Sequence, residues 1–366
     1  MRVGLDGRPL VGRRTGVGRY VYEICRELDS LLPEAQFFIY APIPVELPVQ
    51  SHRWICRVER RAWARALKPI AWLKLRAGRL GREDRLDVFW GTATLLPPLP
   101  AGIRTLTTVY DLTFRIAPET MGRTHLMAQR LFFKRDVRRA RHRLAISMGT
   151  AARLQAWLGG PPAAVAPPAA SPVFRPADTE TVNRTLSRLG IARPYFLAVG
   201  TWEPRKNLEL LIQVFRAMQA SGEIPGYRLV LAGGAGWKDE RLRALLPQDS
   251  ARAGGDAVLP LGFVADEQLA HLYTGCQAFV FPSRYEGFGL PVLEARACGA
   301  RVIASDIPEI REAGGNQVLY ISPTFDGLRE GLSRSITLPR GVPPEPGLLP
   351  EWHRTAAIVA RYINAD

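Results

Sequence analysis

Long apolar runs are missing from this sequence. No stretch approaches the ~18–20 consecutive apolar residues of a membrane span. The opening MRVGLDGRPL lacks the extended apolar region of a secretory signal. Cysteine is scarce: Cys25, Cys56, Cys276 and Cys298 lie far apart, with no C-x-x-C pair and no metal-ligand spacing. That excludes a disulfide framework and a zinc module, and reads as small buried side chains in a reducing cytosol. Acidic residues are in deficit, with 34 Asp and Glu against 49 Lys and Arg, a formal net charge of +15. A charge of that size implies an anionic partner: nucleic acid, anionic lipid or a phosphorylated substrate.

What is present is an ordinary globular composition, 47% hydrophobic and 23% charged over 366 residues, a length that favours two domains. The positive charge concentrates in the first half, in Arg53–Asp84 and Phe132–Arg143. RVGLDGRPL reads as a strand entering a glycine-rich turn. TGVGRYVYEICREL follows, with Gly16 and Gly18 and then Val21, Ile24, Cys25 and Leu28 at helical spacing. AQFFIYAP, LDVFWGT, RTLTTVYDL and RHRLAIS read as further strands, and GTAARLQAWLG as a helix stopped by glycine. Gly159–Glu180 is rich in Pro, Gly and Ala and marks a connection between domains, with one short strand around Val165. Beyond it, PYFLAVG, YRLVLAGG, AVLPLGF, AFVFP and RVIAS alternate with helical segments. Such alternation argues for parallel sheets covered on both faces, hence two Rossmann-like domains with ligands beyond the carboxyl ends of the strands.

Two motifs carry chemistry. In VGTWEPRKNLELLIQVF, Asn207 is an N-cap candidate and the helix begins at Leu208, so Arg205 and Lys206 precede a helix N-terminus. The helix dipole disfavours cations there unless an anion such as phosphate lies between them. In EGFGLPVLE, Pro291 fits the first helical turn, Gly287 and Gly289 allow close backbone approach, and Glu286 and Glu294 suit acceptance of hydrogen bonds from hydroxyl groups. Phosphate flanked by hydroxyl-rich groups describes a sugar nucleotide. Trp54, Trp63 and Trp72 recur every nine residues among arginines, a pattern that reads as a basic amphipathic helix at a membrane surface. A competing reading packs these tryptophans in the core.

EGFGLPVLE resembles the E-x7-E motif of family 4 retaining glycosyltransferases, GTWEPRKN their phosphate loop and TGVGRYVYEICREL their N-terminal glycine loop. The likeness runs to about residue 330 and is nearest to bacterial O-chain and exopolysaccharide mannosyltransferases. It implies an α/β chain of the GT-B fold: two Rossmann-like domains facing each other across a cleft, and a C-terminal helix crossing back to the N-terminal domain. Residues 1–175 would bind acceptor, 176–345 the nucleotide-sugar donor, and 346–366 would form the returning helix. Arg205 and Lys206 would hold the donor diphosphate. Glu286, with the amides of Phe288, Gly289 and Leu290, would hold the donor sugar, and Glu294 the ribose. Gly262, Phe263 and Val264 would face the base. Gly16 and Gly18 would bring the N-terminal loop against diphosphate and acceptor.

The resemblance breaks where the family has His-Asp and this sequence has Tyr110-Asp111, the remaining candidates for a catalytic role. The C-terminal segment is short and proline-rich, and EWHRTAAIVARYI alone suits a returning helix. There is no D-x-D motif, so a metal-independent reaction without other cofactor is expected, with the departing diphosphate neutralised by Arg205, Lys206 and helix dipoles. The implied donor is GDP-mannose, with UDP-, dTDP- or GDP-deoxysugars as alternatives. The implied partners are a glycan or lipid-diphosphate-linked glycan and the anionic inner leaflet, with cytoplasmic, peripheral localisation and no nucleic acid. A GT-B epimerase or phosphorylase is a competing enzyme class, although no cofactor lysine context is present. A basic membrane- or nucleic-acid-binding protein without catalysis is the competing non-enzyme reading.

Overall fold

Seven strands, all parallel, form the sheet of the first unit, in the order β3-β2-β1-β4-β5-β6-β7. They are β1 Arg2–Asp6, β2 Gln36–Ala41, β3 Trp54–Val58, β4 Val88–Gly91, β5 Arg104–Val109, β6 His142–Ala145 and β7 Ala164–Val165. The computed structural model describes residues 1–12, 16–246, 257–339, 341–345 and 347–365. The first unit comprises Met1–Phe114, Arg123–Ala169 and Pro350–Asp366, and the second Arg115–Gly122 and Ala170–Leu349. The inner strands are continuous apolar runs because helices cover both faces of a parallel sheet; QFFIYA and VFWG are buried almost throughout.

The second sheet has six parallel strands in the order β10-β9-β8-β11-β12-β13: β8 Tyr195–Val199, β9 Arg228–Ala232, β10 Val258–Gly262, β11 Ala278–Phe281, β12 Val302–Ser305 and β13 Val318–Ile321. Its winding reverses at β8, with β9 on one side and β11 on the other. Loops leaving β8 and β11 therefore diverge, and the crevice between them is where open α/β sheets bind ligands. The helix Leu208–Ala220 pins the β8 loop from behind. Its buried Leu208, Leu211, Ile212, Phe215 and Met218 follow a helical stripe and join Leu229, Leu231 and Val280 of the sheet in one core.

In the first unit the helix Gly16–Leu31 buries Val21, Ile24, Cys25 and Leu28 as their spacing predicts. Gly16 and Gly18 belong to its opening turn rather than to a loop. The helix Trp352–Asn364 packs against it: Tyr20 and Trp352 meet edge to face at 5.9 Å, and Thr355 Oγ1 and Tyr362 Oη donate to the Pro167 and Ala163 carbonyls at 2.6 and 2.7 Å. The C-terminal helix thus returns to the N-terminal unit.

The tryptophan pattern is corrected. Trp54 lies on β3, buried and stacked on Phe37 at 4.1 Å. Trp72 is fully buried and donates through Nε1 to Glu59 at 3.2 Å, beside the Arg76–Glu59 ion pair at 2.7 Å. Only Trp63 of the three is exposed, at 57%. No single amphipathic helix spans them: after β3 come the short helices Ala62–Arg65 and Pro69–Trp72, the π turn Leu73–Ala77 and the helix Gly78–Glu83. β3 is an edge strand in which Trp54 is buried and the other residues half-buried, and Arg57 there pairs with Asp84 at 2.7 Å. With no apolar–polar alternation to mark a strand, and arginines on either side, the segment passes for a polar helix. The sequence reading also missed β13.

Among the described residues no cysteine is in a disulfide, and Cys25, Cys276 and Cys298 are buried. No helix among them is long and apolar enough to cross a membrane.

Candidate active site

Three adjacent strands of the second sheet end on glycines with positive φ: Gly200 after β8 at 148°, Gly233 after β9 at 140° and Gly262 closing β10 at 68°. The ends are laced together. Gly200 N donates to the Ala232 carbonyl at 3.0 Å, and Gly233 N to the Gly262 carbonyl at 2.7 Å. A Cβ on Gly233 would lie 2.0 Å from the Gly200 oxygen, so the two turns touch through backbone. Gly262 was a sequence candidate. Gly200 and Gly233 were not, although a glycine immediately after each apolar run is the signal that finds them.

From Gly200 the chain turns through Pro204–Lys206, one turn of 3-10 helix, into the helix at Leu208. Asn207 sits at the expected cap position but differs from the expectation in detail. Its backbone is left-handed, φ 58°, and its side chain caps nothing. The amide instead donates to the Pro323 carbonyl at 3.3 Å and accepts from Arg284 Nε at 3.2 Å. A left-handed residue points its side chain away from the first helical amides, and asparagine tolerates that backbone better than most residues.

Arg205 and Lys206 do precede a helix, and the anion between them belongs to the chain. Arg205 is ion-paired to Glu286 and to Glu203, and Lys206 Nζ lies 2.7 Å from Glu286 Oε1. The loops after β8 and β11 are stitched further by Arg284 N to the Arg205 carbonyl at 2.9 Å and Arg205 Nη1 to the Tyr285 carbonyl at 2.8 Å. Lys206 also stands 4.8 Å from the centre of the Phe281 ring. Burial pushes the Glu286 carboxyl up, but Arg205 and Lys206 outweigh it and hold its pKa at about 2. Burial dominates at Glu203, whose pKa is raised despite the same two cations. Sequence reading passed over Glu203; a glutamate two residues before the basic pair is its only signature.

Glu286 is buried with Phe288 and Gly289, and Leu290 opens the helix Leu290–Ala297 with Pro291 in its first turn, as its sequence predicts. Gly289 caps that helix at φ 110°, which few other residues adopt. Glu294 is buried on the same helix, where Tyr273 Oη reaches its carboxylate at 3.4 Å. Phe263 is exposed at 61% and Val264 buried in the loop after β10.

The remaining candidates lie in the first unit. Gly16 is exposed and Gly18 buried. Tyr110 follows β5; its hydroxyl donates to the Thr92 carbonyl at 2.7 Å and its ring stands edge-on to Tyr20 at 5.4 Å. Burial pushes that hydroxyl well above the usual phenol pKa, so it keeps its proton, and that proton is already committed to Thr92. Asp111 Oδ1 accepts from Thr113 N at 2.8 Å and so caps the short helix Thr113–Ile116. Among the described residues no group of three His, Cys, Asp or Glu is placed to hold a metal ion.

Two doubly wound parallel sheets in one chain, the second with a basic and an acidic loop ion-paired at its switch point, fit the GT-B fold. Residues 187–337 match the family described as Glycosyl transferases group 1. Over 129 residues the chain is 40% identical to the O-antigen chain mannosyltransferase B of Escherichia coli, covering 35% of this chain and 33% of that protein. It is 35% identical over 129 residues to the O-antigen chain mannosyltransferase RfbU of Salmonella typhimurium, covering 35% of this chain and 34% of that protein. The matched stretch thus spans about a third of those curated relatives. Among solved structures, WaaG, a glycosyltransferase involved in lipopolysaccharide biosynthesis, superposes with a TM-score of 0.69 over 100% of both chains at 15% identity, a likeness of fold. Over residues 187–337 the chain is therefore similar to the group 1 glycosyltransferases, and over about a third of its length it resembles O-chain mannosyltransferases.

Proposed function

We propose that the protein is a retaining glycosyltransferase that moves a hexose from a sugar nucleotide to a glycan or lipid-diphosphate-linked glycan in bacterial surface-polysaccharide synthesis, with GDP-mannose as the first donor to test. The observation that carries the reading is the placement of Arg205, Lys206 and Glu286 on the two loops that diverge at the switch point of the second sheet. The family match over 187–337 and the mannosyltransferase relatives support it.

In this reading Arg205 and Lys206 bind the donor diphosphate. Glu286 and the Phe288–Leu290 backbone hold the sugar, Glu294 the ribose, and Gly262–Val264 face the base. Gly16, Gly18, Tyr110 and Asp111 belong to the unit assigned to the acceptor. An acceptor hydroxyl attacks the anomeric carbon on the face from which the phosphate leaves. The new C–O bond forms as the sugar–phosphate bond breaks, and the departing phosphate oxygen takes the hydroxyl proton. The two cations stabilise the charge that develops on the diphosphate and need no metal for this.

Docking to an anionic inner leaflet is the second part of the proposal. It now rests on Trp63 with the exposed Arg60, Arg61 and Arg65, and on the helix Arg123–Arg139, where Met127 and Leu131 are about 70% exposed among Arg123, Arg130 and Lys134. Arg57, paired with Asp84, drops out. Basic side chains contribute about 1 kcal/mol each near such a surface.

A thermal-shift panel of GDP, UDP and dTDP and their hexose derivatives tests the donor assignment. A ligand at about 100 times its Kd adds roughly 2.7 kcal/mol of stability. No shift with any of them would sink it.

A further inference from the structure

Arg205 and Lys206 already hold an anion. Glu286 offers one carboxylate oxygen to each, Oε2 to Arg205 and Oε1 to Lys206, while Glu203 takes another edge of Arg205. Two carboxylates face two cations in a cluster whose side chains are only 3–16% exposed. An incoming phosphate therefore meets a site without net charge. To reach both cations it has to take them from Glu286, and two anions sharing a poorly hydrated site repel each other strongly. A displaced, buried Glu286 then needs new hydrogen-bond donors, because a carboxylate left without them costs more than it did in its ion pairs.

Building on the donor reading above, we propose that Glu286 is a specificity-determining residue: the resident counter-ion of Arg205 and Lys206, given up to a ligand that brings a diphosphate for the cations and hydroxyl groups for the released carboxylate in one molecule. A diphosphate alone displaces Glu286 and strands it. A free sugar has hydroxyl groups but nothing with which to release it. The molecule that supplies both completes the exchange, so the sugar and the phosphate are read together through one side chain. Glu203 remains on Arg205 throughout and keeps the guanidinium in place while its other partner changes.

The test measures binding of inorganic pyrophosphate, GDP, GDP-mannose, UDP and UDP-glucose to the wild type, Glu286→Gln and Glu286→Asp by calorimetry at fixed salt. Removing one competing charge should tighten pyrophosphate and nucleoside diphosphate by at least about tenfold in Glu286→Gln. The sugar nucleotide should gain nothing, because the amide no longer gives the hydroxyl groups a charged acceptor. The preference for sugar nucleotide over diphosphate therefore shrinks or reverses. Glu286→Asp, which keeps the charge and retracts it by one methylene, should fall between; it also decides the matter if Glu286→Gln does not fold. Pyrophosphate binding that is unchanged or weaker in the variants overturns the proposal. So does an equal gain for diphosphate and sugar nucleotide, which would make Glu286 a repelling charge and nothing more. If no nucleotide binds any of the three proteins, the donor reading fails, while the pyrophosphate arm still decides whether Glu286 competes for the cations.

Discussion

Lys206 Nζ and Glu286 Oε1 are 80 residues apart in the chain and 2.7 Å apart across the ends of β8 and β11. That contact ties the two loops that diverge at the switch point. It sets the charge state of the site before any ligand arrives, and it makes the carboxylate an acid-sensitive part of the fold.

The first prediction follows from the depressed carboxyl pKa. Burial raises it, but Arg205 and Lys206 prevail and bring it from 4.5 to about 2. A carboxyl group with a lowered folded-state pKa stabilises above its unfolded pKa and loses that contribution as pH falls through the folded value. The difference amounts to about 3 kcal/mol, present above pH ~4.5 and gone by pH ~2. Glu203, shifted upward by burial, contributes with the opposite sign. Urea unfolding across this window should show the stability gap between wild type and Glu286→Gln closing by about that amount. A gap that stays constant with pH contradicts the ion-pair account.

Lys206→Ala should weaken nucleoside diphosphate binding by about 2–4 kcal/mol, as expected for a charge-assisted contact in a poorly hydrated site. The nucleoside without phosphates should bind both proteins alike. Equal losses for the two ligands would mean that the lysine only supports the loop.

Gly233→Ala and Gly262→Ala separate crowding from backbone conformation. Both positions have positive φ, but a Cβ at Gly233 strikes the Gly200 carbonyl whereas one at Gly262 meets nothing within 4 Å. Gly262→Ala should cost about 1–2 kcal/mol from the left-handed backbone alone. Gly233→Ala should cost distinctly more and should weaken diphosphate binding too, because it pushes the β8 loop. Similar melting temperatures for the two variants would remove the steric argument.

The tryptophans make a third contrast. Trp72→Ala should lose about 3–5 kcal/mol, since it empties a buried site and takes a donor from Glu59. Trp63→Ala should leave thermal stability within about 0.5 kcal/mol. Combined with serine at Arg60, Arg61 and Arg65, it should reduce sedimentation with vesicles containing anionic lipid, with nucleotide binding unchanged. Vesicle binding equal to wild type would move the docking surface elsewhere, the helix Arg123–Arg139 being the next to test.

Much of the second unit was legible because its signals are local. An apolar run, a glycine and a helical segment mark the steps after β8, β9 and β10, and Pro291 announces the helix that carries Glu294. What the sequence could not carry is the pairing between distant loops. Arg205 and Lys206 looked like cations in search of an outside anion, and Glu286 like a separate group, since nothing in local spacing says that β8 and β11 are neighbours. Glu203 was missed for the same reason: its importance comes from the guanidinium that it holds. In the first unit the edge strand β3 was lost because WICRV is half-buried without a strand's alternation, and nine-residue spacing of tryptophans imitates a helix whether or not one forms.

The helix Trp352–Asn364 belongs to the first unit and packs against Tyr20 and the Pro167 carbonyl. On the ribosome, where chains emerge from the N-terminus and domains fold as they appear, the usual order is therefore inverted. All the segments of the second unit have been synthesised by Leu349, whereas the first unit, begun at Met1, still waits for its final helix. Until then the apolar face that the helix will cover is left to solvent or to chaperones. Of the two units, the one whose translation begins first is completed after the other.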